Sequence, residues 1–538
     1  MKIGKSHIKA AAFVAVYLFA LYLWTLPFQD NRIPYGEFDA ISHWELGDFI
    51  AENDRTFVKL PAFLDVSYGG NNYFRPHTLW YPPPYHTDFA IISAFSPGRV
   101  VPIYLTNAVF ASFILISVFF VINRLFGFMP AILSSFMLTF SLRDIMPYLW
   151  GQWVERFAYA FIPVILYCFY MYFTTYSKKD NKPLYLYIMA ILLAINLLIH
   201  PLSFFHTAVG LFVLAVFLAI KQKKIPFNLK HIGISLAVFA VLLAIFPYQT
   251  GNVVLTFTKP SSEEQKYSPI SRLLQWSLNP EDYAGSVPAS YFSFREMHGL
   301  WTLPFLLLGI LVLVVRRENR DIFLLAWLFS LYLVMHRDLI GKFTFLHRSL
   351  SATAHIFIPI AVIGALSIAS FIKMPKIYQN FAKYGIAALV IALTLIYNMP
   401  QAYSTLNNAY DSPLARLNQG QIDVSEWIKE NVPEGQNVSI IGPLPQIMQK
   451  VWWMASFSHR VSHYFEGFLT WKTYEENREE TIKYHLLNDY IVVDYSDIAL
   501  LSDRSFVSTW QEFEKANLAN HTLLYNKDNI RVYKYEAS

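Results

Sequence analysis

The apolar residues of this chain are gathered into runs of about 16–24, the length a helix needs to cross a hydrocarbon core of roughly 30 Å. The rest of the composition agrees. Of 538 residues, 55% are hydrophobic and only 15% charged, with a mean hydropathy of +0.33. A soluble protein of this length needs more surface charge. Aromatic residues reach 17%. Their rings suit a membrane headgroup belt and also a sugar-binding surface. The one cysteine, Cys168, lies within an apolar run, so the exposed parts must hold together by packing.

Candidate spans fall near 8–27, 101–123, 127–142, 157–176, 183–199, 203–220, 231–248, 300–315, 321–336, 349–372 and 384–399, about eleven in all. The first follows a basic N-terminus. No small-x-small cleavage site precedes Phe28, so it reads as an uncleaved span rather than a signal peptide. Short loops bearing Arg124, then Lys178, Lys179 and Lys182, then Lys221 to Lys230, Arg316 to Arg320 and Lys373 to Lys383 alternate with less basic ones. The positive-inside rule puts the basic set and the N-terminus in the cytoplasm. Three long segments then face outward: 28–100, 249–299, and everything from about 400. The expected fold is a polytopic α-helical membrane domain, 1–399, followed by an extracytoplasmic α+β domain, 400–538.

In the first outer segment, Gly36 precedes a stretch of helical character. Phe38, Ile41, Leu46, Phe49 and Ile50 would give it an apolar face suited to lying along the membrane surface. Pro82, Pro83 and Pro84 predict a stiff, extended return to the bilayer. In the third segment, Val424–Asn431 reads as a helix, and Asn437–Ile441, Tyr490–Asp494 and Ile530–Tyr535 read as strands.

Several constellations can carry chemistry. Glu37 and Asp39 put two carboxylates near the membrane surface. They can hold a hard divalent cation, one can act as a base, or they can be acids favoured by a helix N-terminus. Glu155, at the outer mouth of a span, must be paired or hydrated. Arg156 and Arg143 are its candidate partners, and Asp144 lies at the same surface. His86 with Asp88, and His200 with His206, are candidate ligands or proton carriers, or hydrogen-bonded structural residues. Arg337, Lys342, His347 and Arg348 oppose the charge rule. They are either ordinary loop charge or a site for an anionic group such as a lipid phosphate, with Arg348 at the mouth of the span itself. Trp452 and Trp453, shortly before Arg460, form either a recognition surface or part of a core. P-loop, GxSxG, HExxH and CxxC motifs are absent from the sequence, which argues against ATP-driven pumps, α/β-hydrolases and zincins. Asn437-Val-Ser439 and Asn520-His-Thr522 match the N-glycosylation pattern.

This layout, together with these residues, resembles the GT-C superfamily of membrane glycosyltransferases, which use polyprenyl-phosphate or polyprenyl-pyrophosphate sugar donors. Within it, the chain looks most like the archaeal and bacterial oligosaccharyltransferase catalytic subunits. Asp39, in Gly36-Glu-Phe-Asp39, matches the family's essential first-loop aspartate, and Glu155 after Gly151 matches its second acidic site. Of the family's Trp-Trp-Asp-Tyr-Gly motif only Trp452 and Trp453 remain; Met454, Ala455 and Ser456 replace the other three. The resemblance implies that Asp39, Glu37 and Glu155 hold Mg²⁺ or Mn²⁺ against the donor phosphate, with His86 and Asp88 as further ligands, or that Asp39 is the base. It implies a lipid-phosphate site at Arg348, Lys342 and His347. Acceptor or substrate recognition would fall to Trp452, Trp453, Arg460 and His200. The expected partners are a lipid-linked donor and a lipid, glycan or protein acceptor at the plasma membrane. A GT-C-fold scaffold without catalysis is the alternative. A secondary transporter is a third reading, against which no broken-helix pair is evident in the sequence.

Overall fold

The computed structural model describes residues 5–29, 33, 36, 38–52, 64–68, 71–74, 83–95, 98–177, 182–225, 228–246, 270, 272, 288–340, 346–371, 375–408, 416–441, 448–465, 478–500 and 505–536. Glu37, Lys342 and most of the 249–299 segment lie outside these residues.

Each apolar run is helical. The helices include Lys5–Trp24, Val101–Phe126, Phe128–Thr139 followed by Leu142–Leu149, Trp153–Tyr159 followed by Phe161–Ser177, Pro183–Ile199, Pro201–Gln222, Leu229–Ala244, Thr302–Arg316, Asn319–Met335, Ala354–Phe371 and Lys376–Leu393. Among the described residues six spans are long and apolar enough to cross a membrane, or seven if one bent pair counts as a span. The apolar helices Pro183–Ile199, Leu229–Ala244 and Thr302–Arg316 have 17, 16 and 15 residues, short of the roughly 20 a full crossing takes. The chain is a multi-pass membrane protein. One feature differs from the sequence expectation. Phe128–Thr139 and Leu142–Leu149 meet at a 42° bend. The break falls where the apolar run gives way to Ser141, Arg143 and Asp144, so a broken pair does exist.

The chain divides into two compact units. The first comprises 1–26, 107–148 and 153–407, and the second 27–106, 149–152 and 408–538. The first is a helical bundle with a continuous core that includes Ile114, Val118, Leu166, Phe173, Leu324, Ile360 and Leu366. Its tightest crossing is between Thr302–Arg316 and Ala354–Phe371. A Cβ on Gly309 would lie 2.1 Å from the Ile360 carbonyl oxygen, and one on Gly364 would lie 2.0 Å from that of Phe305. Only glycine lets the two backbones approach so closely, the usual device for packing helices in lipid.

The second unit carries two sheets. Strands β1 (Leu64–Tyr68), β2 (Asn71–Phe74), β3 (Val438–Ile441), β4 (Ser462–Phe465), β5 (Tyr490–Asp494), β6 (Thr522–Lys527) and β7 (Ile530–Lys534) pair in the orders β2-β1-β4 and β3-β5-β7-β6. Strand β1, from the first outer segment, runs parallel to β4, from Leu64 opposite Ser462 to Ser67 opposite Phe465. The expected helix is Gln419–Asn431, started by an Asn418–Gln421 capping box, and the three expected strands are β3, β5 and β7. Strand β6 was not anticipated. It joins β7 through Asp528 and Asn529, both at positive φ, the backbone of a tight hairpin turn. The sequon residue Ser439 lies buried in β3.

Two expectations for the first outer segment are corrected. Pro83 and Pro84 open a helix, Pro83–Ser93, because proline suits a first helical turn, where the missing N–H has no intrahelical partner anyway. Pro82 lies outside the described residues. The Phe38–Glu52 helix does not present one apolar face. Ile41, Leu46 and Ile50 are buried, and so are Ser42, His43, Glu45 and Asp48. It is a central helix of the second unit, packed against Pro83–Ser93 and Met448–Ser458.

Candidate functional site

In the first unit, the Leu142–Leu149 helix beyond the bend carries Arg143 and Asp144. The short Trp153–Tyr159 helix carries Glu155 and Arg156. His200 joins two helices in extended conformation, with Pro201 opening the second. A 3₁₀ segment, Leu346–Thr353, holds His347, Arg348 and Ser349, and His355 lies in the first turn of Ala354–Phe371.

These side chains form a buried polar cluster. Arg156 contacts Asp144 directly. His355 Nε2 lies 2.8 Å from Asp144 Oδ1 and 3.1 Å from Arg156 Nη2. Arg348 Nη1 stands 3.6 Å, and His200 Nε2 3.9 Å, from Glu155 Oε2. Arg337 Nη1 donates to Ser349 Oγ at 2.6 Å, and His206 Nε2 lies 3.1 Å from the same oxygen. Arg143 donates to the Tyr291 carbonyl and stacks its guanidinium 4.7 Å from that ring. Arg143 and Arg156 are 4% and 0% exposed, yet Arg143 Nε and Arg156 Nε and Nη1 have no hydrogen-bond partner. Buried guanidinium N–H groups cost several kcal/mol each when left unmatched, of order 1–3 for an ordinary donor and more for a charged one. Asp144 Oδ2 has no partner either, so the cluster offers both donors and an acceptor to an added polar group.

Sequence reading paired Glu155 with Arg156 or Arg143. The structure pairs it with Arg348 and His200, while Arg156 turns to Asp144 and His355. Adjacent charges on a short helix project to different sides, about 100° apart, so neighbours in sequence take different partners.

In the second unit, two glycines admit the start of the Phe38–Glu52 helix. Gly36 has φ +118, and Gly151 has φ +88 with a would-be Cβ 2.2 Å from Ala40 N. Asp39 is buried in the first turn, where the helix dipole favours an acid. His43, one turn on, places Nδ1 3.0 Å from His86 Nε2, the two rings stacked 5.2 Å apart. Asp88 follows His86 by two residues and so lies on another side of its helix; burial pushes its carboxyl up. Glu45 Oε2 accepts from Trp452 Nε1 at 3.0 Å and from Ser456 Oγ at 2.6 Å. Trp453 Nε1 donates to the Gly36 carbonyl at 3.4 Å. Asp48 takes Arg99 through both oxygens, at 2.9 and 2.6 Å, and His459 at 2.8 Å. Burial alone would raise the Asp48 carboxyl, but Arg99 and His459 outweigh it and hold it below its ordinary value. Arg460 donates to the carbonyls of Lys429, Val432, Ser458 and His459, closing the C-terminal end of Gln419–Asn431.

The expected residues thus fall into two sets. Glu155, Arg348 and His200 meet in the first unit, with His347 buried on the same 3₁₀ segment as Arg348. Asp39, His86, Asp88, Trp452, Trp453 and Arg460 belong to the second, where both indoles are buried. Among the described residues no three His, Cys, Asp or Glu side chains converge as a metal site. Sequence reasoning missed His355, His43 and Glu45. The only available signal was a polar residue inside or beside an apolar stretch.

The fold is that of the GT-C membrane glycosyltransferases. An oligosaccharyltransferase of Archaeoglobus fulgidus, tethered to an acceptor peptide containing an NVT sequon, superposes with a TM-score of 0.61 at 14% identity; the match covers 100% of this chain and 75% of that one. The same enzyme in complex with Zn and sulfate gives 0.54 at 15% identity, covering 97% and 73%. ArnT from Cupriavidus metallidurans bound to undecaprenyl phosphate gives 0.56 at 9% identity, covering 100% and 99%. The chain belongs to the family of unknown function DUF6541, whose model matches residues 5–440. No curated protein matches its sequence.

Proposed function

We propose that this protein transfers a sugar or glycan from a polyprenyl-phosphate or polyprenyl-pyrophosphate donor to an acceptor on the outer face of the plasma membrane. The observation that carries the reading is the pair Arg143 and Arg156, buried with unmatched guanidinium N–H groups. They sit in a fold shared with an enzyme bound to undecaprenyl phosphate. Planar guanidinium groups suit phosphate oxygens, which accept paired N–H bonds. In this reading Arg143 and Arg156 bind the carrier phosphate, with Arg348 and His347 of the 3₁₀ segment as further cations and Lys342 as a candidate from the sequence alone. Asp144 with His355, and Glu155 with His200, hold those cations in place.

Asp39 is the proposed centre of the chemistry, as base toward the acceptor hydroxyl or as ligand to Mg²⁺ or Mn²⁺. The donor chemistry fits such a cation. Mg²⁺ is commonly held by one or two carboxylates, with substrate phosphates completing the shell. Asp39 offers hard oxygens in the second unit, Glu37 and Glu155 stand as further candidates from the sequence alone, and His86 and Asp88 do not share a face. When bound, the cation would neutralise the leaving phosphate. The Archaeoglobus fulgidus oligosaccharyltransferase of the same fold has been seen in complex with Zn and sulfate, which agrees with a metal here. The N-terminus is proposed to be cytoplasmic and residues 400–538 external, from the loop charges alone.

Mass spectrometry of lipids retained by the purified protein tests the reading. A polyprenyl-phosphate-based species in the wild type is the expected result. With that donor added back, Asp39→Asn should transfer at least about 100-fold more slowly, the scale of a lost general base. A protein that retains only bulk phospholipid contradicts the proposal. A bound donor with no transfer by the wild type would favour the non-catalytic scaffold.

A further inference from the structure

We propose that Glu45 is a positioning residue, clamped by Trp452 and Ser456, and that the Trp452-Trp453 pair holds the Asp39-bearing helix rather than touching the acceptor. The inference rests on the catalytic role proposed for Asp39. Glu45, Trp452 and Ser456 are all 0% exposed, and Trp453 is 1% exposed. The indoles therefore offer no surface to an incoming acceptor.

Their N–H groups are both used on the helix that carries Asp39 or its lead-in. Trp452 Nε1 and Ser456 Oγ converge on Glu45 Oε2, and Trp453 Nε1 reaches the Gly36 carbonyl. Trp44 adds apolar contact, stacked on Phe457 at 4.3 Å and 7° and edge-on to Trp453 at 5.7 Å. One turn further, Asp48 is fixed by His459 and by Arg99, which also donates to the Phe457 carbonyl. The Met448–Ser458 helix and the residue after it thus grip Phe38–Glu52 near its start, at its middle and close to its end.

The helix geometry separates clamp from chemistry. Asp39 precedes Glu45 by six residues, which turns it about 120° away at 100° per residue. The gripping acids face Met448–Ser458, and Asp39 looks elsewhere. Met448–Ser458 is itself anchored. Lys450 Nζ lies 2.5 Å from Asp497 Oδ2, and Gln421 Nε2 bonds both Asp494 and Asp497 at 2.6 and 3.0 Å. Strand β5, which ends at Asp494, therefore backs the clamp. This also accounts for the departure at Ser456: a hydroxyl there completes the carboxylate's pair of donors.

The test uses the full-length protein with Trp452→Phe plus Ser456→Ala, which deletes both donors and keeps an aromatic ring in the core, with Trp452→Phe alone as the control for the smaller ring, and with Glu45→Gln, whose amide oxygen still accepts. Hydrogen exchange at amides 38–44 should quicken about tenfold in the double variant and far less in Glu45→Gln. Donor turnover should fall about tenfold in kcat, since small misplacements cost this much. KM for a polyprenyl-linked donor and native-mass-spectrometry binding of undecaprenyl phosphate should stay unchanged. Unchanged exchange at 38–44, with a raised KM for acceptor alone, would overturn the clamp and return the indoles to acceptor binding. Should no form turn over donor, the functional reading fails, and the exchange data still decide the clamp.

Discussion

Two pairs of arginines behave differently in the two units. In the second unit, Arg99 and Arg460 place all three guanidinium nitrogens on acceptors: Asp48, His459 and the Phe457 carbonyl for one, four main-chain carbonyls for the other. In the first unit, Arg156 engages Asp144 and His355 through Nη2 alone, Arg143 engages the Tyr291 carbonyl, and three of their nitrogens have no protein partner. A guanidinium with every N–H matched fastens structure. One buried with N–H groups unmatched is arranged for something that arrives later, because an unmatched buried charge is otherwise strongly selected against by its own energetics.

The comparison can be broken in four ways. The largest effect is expected at Asp39, where Asn substitution removes transfer by about 100-fold or more while undecaprenyl phosphate still binds. Next, Arg156→Gln and Arg143→Gln should each weaken undecaprenyl phosphate binding by about tenfold or more, the scale of one or two charge-assisted bonds. Arg460→Gln should leave that binding alone. It should instead lower the thermal unfolding transition, costing about 1–3 kcal/mol for the carbonyls it abandons. Equal losses of binding from Arg460 and Arg156 variants would erase the distinction. Third, Gly151→Ala should slow transfer, because its Cβ would press on Ala40 beside Asp39 and its positive φ costs about 1–2 kcal/mol for other residues. Unaltered kcat in that variant would show the close approach to be unimportant.

The smallest effect concerns pH. Burial holds His485 down to about 4, against the ordinary 6.5. The native state thus binds fewer protons than the unfolded state between these values. Its contribution to stability is full above pH 6.5 and is lost as pH falls toward 4, by roughly 3 kcal/mol at most. The opening free energy of β5 amides, taken from exchange rates divided by their intrinsic rates at each pH, should therefore fall as pH drops from 6.5 to 4 in the wild type and stay flatter in His485→Phe.

Much of this was legible in the sequence for a physical reason: runs long enough for a bilayer announce helices wherever they sit. The α+β character of the last 130 or so residues was also readable, a length that suits one domain. Asp528 and Asn529 carried a turn signal for the unanticipated strand β6 that went unread. The Phe38–Glu52 helix was misjudged because its burial depends on Trp452, Ser456 and His459, some four hundred residues away in sequence. No local pattern reports such partners. Glu155 and Arg348 could be singled out as charges at span mouths, but their pairing with each other rather than with Arg156 follows from how helices turn successive side chains apart.

The most direct measurement is the affinity of undecaprenyl phosphate for wild type, Arg156→Gln and Arg143→Gln, reconstituted in the same nanodiscs with Arg460→Gln as the folded control. The account predicts saturable binding that both first-unit variants weaken by about tenfold or more and the control leaves intact. Absence of binding by the wild type, or identical affinity in all four proteins, would contradict it.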